Sequence, residues 1–169
     1  MRNHRILASP VHPVGRQDDV VATRGGLYTI QSRIRFRRLA GAASVAAIVA
    51  AAADVVVYSI GRASGVSMVM PYLWGQAPSV LPISVIVSVD LFAAILGTIT
   101  FGLLVRFTLN GVRLFQIASV PVLLVTFAGP LTLPQTAGST KATLMAMHVV
   151  AAASIVLVLS LLGRPTPDR

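Results

Sequence analysis

Four apolar stretches, each about as long as a bilayer is thick, take up most of the chain: roughly 39–60, 82–105, 114–130 and 142–162. A helix rises about 1.5 Å per residue, so about 20 apolar residues cross a hydrocarbon core of about 30 Å. The sequence therefore predicts an all-α membrane protein, a four-helix transmembrane bundle of up-down topology. Water-soluble readings are excluded. Hydrophobic residues make up 55% of the 169 and charged residues only 11%, both outside the soluble range.

Charge placement sets the expected orientation. Eight of the fourteen basic residues are arginines of the N-terminal tail (Arg2, Arg5, Arg16, Arg24, Arg33, Arg35, Arg37 and Arg38). Arg106 and Arg113 flank the second connection, and Arg164 and Arg169 follow the last span. Basic residues accumulate on the cytoplasmic side of short loops. Placing both termini in the cytoplasm leaves only Arg62 and Lys141 outside. Arg33, Arg35, Arg37 and Arg38 abut the first span and read as a lipid-headgroup anchor, each attracted by about 1 kcal/mol to anionic lipid. The net charge of +9 suggests nucleic acid, but no aromatic platform or recognition fold accompanies it, so no nucleic-acid partner is expected.

The domain organisation follows. Residues 1–32 mix Pro, Gly, Asp, Arg and His without helical period, and residues 1–37 read as a basic, mostly disordered cytoplasmic tail. Residues 38–163 form the transmembrane domain and 164–169 a short cytoplasmic tail. Ala51, Ala52 and Ala53 imitate a signal-peptide cleavage site, yet Val55, Val56 and Val57 continue the apolar run, so the first span reads as retained. The longest connection carries Met68, Met70, Tyr72, Leu73 and Trp74, a set suited to lying at the outer interface.

Small residues let helix backbones approach closely in lipid, where packing rather than hydrophobicity drives association. Ala43, Ala47 and Ala51 fall four apart in the first span, and Ala93 and Gly97 repeat the pattern in the second. These five are the expected helix-packing positions. Gly61 is the expected C-cap of the first helix, and Ser139 or Thr140 the N-cap of the fourth. Asn110-Gly111 marks the tight turn between the second and third spans, and Pro121 predicts a kink in the third.

Ionisable groups in lipid are costly, so each one needs an account. Asp54, Asp90 and His148 lie in the first, second and fourth spans, each about 9–12 Å from the outer helix end. Thr126 of the third span falls near the same level. These four are the candidate intramembrane polar cluster. Two carboxyls and an imidazole facing one another relay protons, hold a cation, or serve as interhelical hydrogen-bonding glue. No Ser-His-Asp elbow, Gly-rich phosphate loop or His-Glu-x-x-His occurs, so no catalytic residue, cofactor or metal site is expected. With no cysteine, thiol chemistry is excluded.

In the C-terminal half, Gly129, Pro130 and Leu131 follow the third span, and Met147, His148, Val150, Ala151 and Ala152 stand in the fourth. This pattern, with the Gly65-Val66 step after the first span, resembles the domain of unknown function 6069 family, small four-span membrane proteins of actinobacteria. The thirteen arginines against one lysine suit a high-GC genome of that kind. The likeness covers about residues 38–163. It implies a plasma-membrane bundle with no established activity, and it places His148 inside the matched motif.

The resulting expectation is a multi-pass plasma-membrane protein without enzymatic activity, serving as an accessory or packing subunit. Its partners would be the bilayer and another membrane protein, or itself as a homo-oligomer. The alternative is a small proton- or cation-coupled transporter or channel-like oligomer using Asp54, Asp90 and His148.

Overall fold

Alanine is the best helix former, and the first span is built largely from it. In the computed structural model, which describes residues 36–71 and 77–163, that span is α1 (Phe36–Ala63). A two-stranded hairpin follows, β1 (Val69–Met70) against β2 (Ser79–Val80). Then come α2 (Ile83–Phe107), α3 (Gly111–Thr126), the short α4 (Ala128–Thr132) and α5 (Gly138–Leu162). At about 1.5 Å per residue, α2 and α5 are each about 37 Å long. Among the described residues, four helical segments are long and apolar enough to cross a membrane, with α3 and α4 together making the third. The chain is a multi-pass membrane protein.

The helices pack as a ring in which α1 touches α2, α2 touches α3, α3 touches α5, and α5 closes against α1. Antiparallel order is visible in single contacts. Leu39 near the start of α1 reaches Gly102 near the end of α2, and Gln116 early in α3 bonds Ser160 late in α5. Large apolar side chains such as Ile48, Phe92, Ile99, Leu124 and Val125 point outward. That would be a fault in water and is the required surface in lipid.

Ala42, Ala46 and Ala50 form the fully buried stripe of α1, with Asp54 and Tyr58 continuing it four residues at a time. Ala43, Ala47 and Ala51, the expected packing face, lie one position round the helix and only half-buried. An alanine-rich helix offers small residues on nearly every face, so their spacing does not choose among faces. Ala93 is half-buried against the core, and Gly97 lies against Ile155 of α5.

Two apolar clusters divide the interior. Towards the end of the bundle where α1 starts, Ala42, Ala46 and Ala50 meet Ala94, Phe101, Phe115, Ile155 and Leu159, with the Phe101 and Phe115 rings edge to face at 5.2 Å. At the hairpin end, Tyr58, Met68, Leu81, Ile86, Leu144 and Met147 form the second. Between these clusters each of three helices carries one ionisable residue.

Several termini differ from expectation. Gly61 lies inside α1 against Thr143, and Gly65, with φ +84°, takes the left-handed step after the helix instead. Ser139 and Thr140 fall inside α5, whose cap position is Ala137; Thr140 is fully buried and faces Ser67 at 3.5 Å. Gly111 opens α3 so close to α2 that a Cβ there would lie 2.4 Å from the Val105 Cα. Pro121 stays inside α3, and the third span is interrupted between Thr126 and Ala128, so Gly129 and Pro130 belong to α4. The helix of α1 begins at Phe36, two residues into the expected tail.

Candidate functional site

The hairpin closes one end of the bundle and makes the roof of a cavity. Leu81 N–H donates to the Met68 carbonyl at 2.9 Å, and the Tyr58 hydroxyl donates to the Leu81 carbonyl at 3.1 Å. Arg62 Nη1 donates to the Ser67 carbonyl at 2.7 Å. These bonds tie the connection to the top of α1. Beneath it lies a cavity of about 290 Å³, at the lower edge of the small-molecule range.

Asp54 of α1, Asp90 of α2 and His148 of α5 line this cavity together with Met70, Leu81 and Met147. Asp54 is 4% exposed and Asp90 3%. The two carboxyls lie near enough to interact with each other, and His148 near enough to Asp90 to interact with it electrostatically. One oxygen of each acid, Asp54 Oδ1 and Asp90 Oδ2, is buried with no hydrogen-bond partner among the described residues. His148 is half-buried, with Nδ1 2.8 Å from the Leu144 carbonyl. A carbonyl only accepts, so Nδ1 carries the hydrogen, and Nε2 is left to accept a proton or to donate one.

The position of the three follows from the stripe pattern. Asp54 continues the inward row of α1 from Ala50 to Tyr58, and Asp90 lies four residues from Ile86 and from Ala94, both buried. His148 follows Met147 between the two apolar clusters. Each acid therefore points inward because its helix neighbours do.

Thr126 is not part of this arrangement. It is exposed, and its hydroxyl donates back to the Leu123 carbonyl at 2.7 Å, one residue before the helical run is interrupted. Equal depth in the bilayer did not determine which way the residue faces. Of the expected anchor, Arg37 and Arg38 begin α1 and are exposed, whereas Arg33 and Arg35 lie outside the described residues, as do Tyr72, Leu73 and Trp74. Among the described residues no group of three or more His, Asp or Glu is disposed to hold a metal ion.

Sequence reasoning missed the hairpin roof, the Tyr58 tether and the buried Thr140. Tyr58 had a signal: it is the next four-residue step after Ala50 and Asp54. The hairpin had none, since its strands are two residues each.

A model of a family of unknown function (DUF6069) matches residues 34–164, and so includes all three cavity residues. Comparison with curated proteins and with solved structures found no match.

Proposed function

The chain belongs to the DUF6069 family, and we propose that it is a non-enzymatic plasma-membrane protein whose Asp54–Asp90–His148 cavity takes up a cation in exchange for a proton. The observation that carries this reading is the pair of buried carboxyls, each with an unpartnered oxygen, lining one cavity. Two carboxylates side by side in an apolar interior repel and are poorly solvated, so such a pair shares a proton or holds a cation. Either state satisfies the site, and exchange between them is the elementary step of proton-coupled binding. His148 lines the same space, and its Nε2 is a further proton acceptor beside the two carboxyls.

The arginine distribution supports cytoplasmic termini, which would put the cavity in the outer half of the bilayer. Structural glue is the competing account of the same residues. Glue satisfies its donors and acceptors, whereas two buried oxygens here have none.

Proteoliposomes containing a luminal pH dye test the proposal. An imposed cation gradient should move protons through the wild type and not through Asp54→Asn or Asp90→Asn, with His148→Gln intermediate. Equal proton movement in all four proteins contradicts it.

The reading as an accessory or packing subunit draws on a different feature. Helix α3 fully buries only Gly111 and Phe115, and it leaves Ile117, Val120, Val122, Leu124 and Val125 exposed to lipid, a second copy or a partner. Purification from native membranes in mild detergent separates these, because a stoichiometric partner favours the accessory role.

A further inference from the structure

Resting on that proposed reading, we infer that the cation is an organic ammonium with an apolar body, bound with its N–H groups on Asp54 Oδ1 and Asp90 Oδ2. The bare metal cation is the rival, and the lining argues against it. A hard cation needs about six oxygen ligands. Here, among the described residues, the acids and His148 are the only ionisable groups on the wall, and the remainder is apolar, including Leu81, Ile86, Leu144 and Met147. An apolar wall with a few convergent polar atoms is the usual form of a site for an organic molecule.

The vacant bonding capacity has the right sign. Ionised carboxylate oxygens only accept, so two unpartnered ones call for donors, and an ammonium brings up to three on one positive centre. Among the described residues the wall itself supplies no cation besides His148. Arg62 and Lys141 are held elsewhere by backbone carbonyls, Arg62 on Ser67 at 2.7 Å and Lys141 on Leu131 at 3.0 Å. Two acids against one imidazole leave the site short of positive charge even when the ring is protonated.

Access also suits an amphiphile. Val89 lines the cavity and is itself 54% exposed on the lipid-facing side of α2, so the space reaches the flank of the bundle. An apolar amine that partitions into the outer leaflet arrives at that flank without crossing the hairpin roof.

The exchange balances. A pair sharing one proton carries one negative charge; the ammonium enters, the shared proton leaves, and site plus ligand still carry one negative charge. Apparent affinity therefore rises about tenfold per pH unit while the pair holds its proton. Among the described residues, the titratable groups facing the ligand are Asp54 from α1, Asp90 from α2 and His148 from α5, and α4 contributes none.

Calorimetry on the full-length protein in detergent, with phenethylammonium as probe, tests this. Binding should occur with release of one proton, while the uncharged 2-phenylethanol, Na⁺ and K⁺ bind at least about thirtyfold more weakly. Asp54→Asn and Asp90→Asn should each weaken the probe by at least about thirtyfold. Val89→Phe fills the mouth from an exposed position and should weaken the probe while leaving the melting temperature unchanged, which keeps the test valid if an Asp variant fails to fold. Tight binding of Na⁺ or K⁺ with proton release, and none of the amine, overturns the ligand class but not the exchange reading. Undiminished amine binding in folded Asp54→Asn and Val89→Phe overturns the site. No proton release with any cation overturns both readings.

Discussion

At the residue scale, the two acids are where stability and function are opposed. Each is almost wholly buried and neither has both oxygens satisfied. Replacing a poorly solvated charge with a neutral isostere often stabilises a protein, by about 1–2 kcal/mol. Asp90→Asn should therefore raise resistance to thermal unfolding in detergent while abolishing cation-linked proton movement. A lower melting temperature in that variant would favour a structural role. Tyr58→Phe makes the complementary case. It deletes only the bond to the Leu81 carbonyl and should cost about 1 kcal/mol in the same melt, with proton movement retained. The acids were legible in the sequence because charge in an apolar run stands out; the outward turn of Thr126 was not, because a threonine can satisfy its hydroxyl on its own helix.

At the scale of elements, length and composition made the four helices legible, and the register between them was not. Periodicity reveals a buried face only when the other faces differ from it, and in α1 alanine occurs all round. The structure resolves this with Ala46 fully buried and Ala52 exposed. Ala46→Leu should overpack the seam and cost about 1–3 kcal/mol, measured as loss of folded protein in detergent. Ala52→Leu, facing lipid, should be nearly neutral in the same assay. The hairpin escaped sequence reading for another reason: two-residue strands have no alternation to detect, and their place is set by tertiary bonds from Leu81 and Tyr58.

For the whole molecule, the architecture is two apolar clusters with an ionisable layer between them. Glue alone would be served by neutral side chains such as the Gln116–Ser160 pair at the other end of the bundle. The layer instead holds two acids and an imidazole beside a cavity that reaches the surface at Val89. Orientation belongs to this scale as well. Reporters fused at both termini should read as cytoplasmic, and reporters in the hairpin and in the connection before α5 as external. A terminus found outside would place the cavity in the inner half of the bilayer and reverse the direction from which it loads.

The exchangeable proton of the Asp54–Asp90 pair is the centre of this account, and infrared difference spectroscopy of the purified protein observes it directly. Adding phenethylammonium at fixed pH should remove a protonated-carboxyl band from the wild type, and the change should vanish in Asp54→Asn and in Asp90→Asn alike. A carboxyl band untouched by phenethylammonium, Na⁺ and K⁺ alike, or one that responds equally in either single variant, would contradict the shared proton and the exchange built on it.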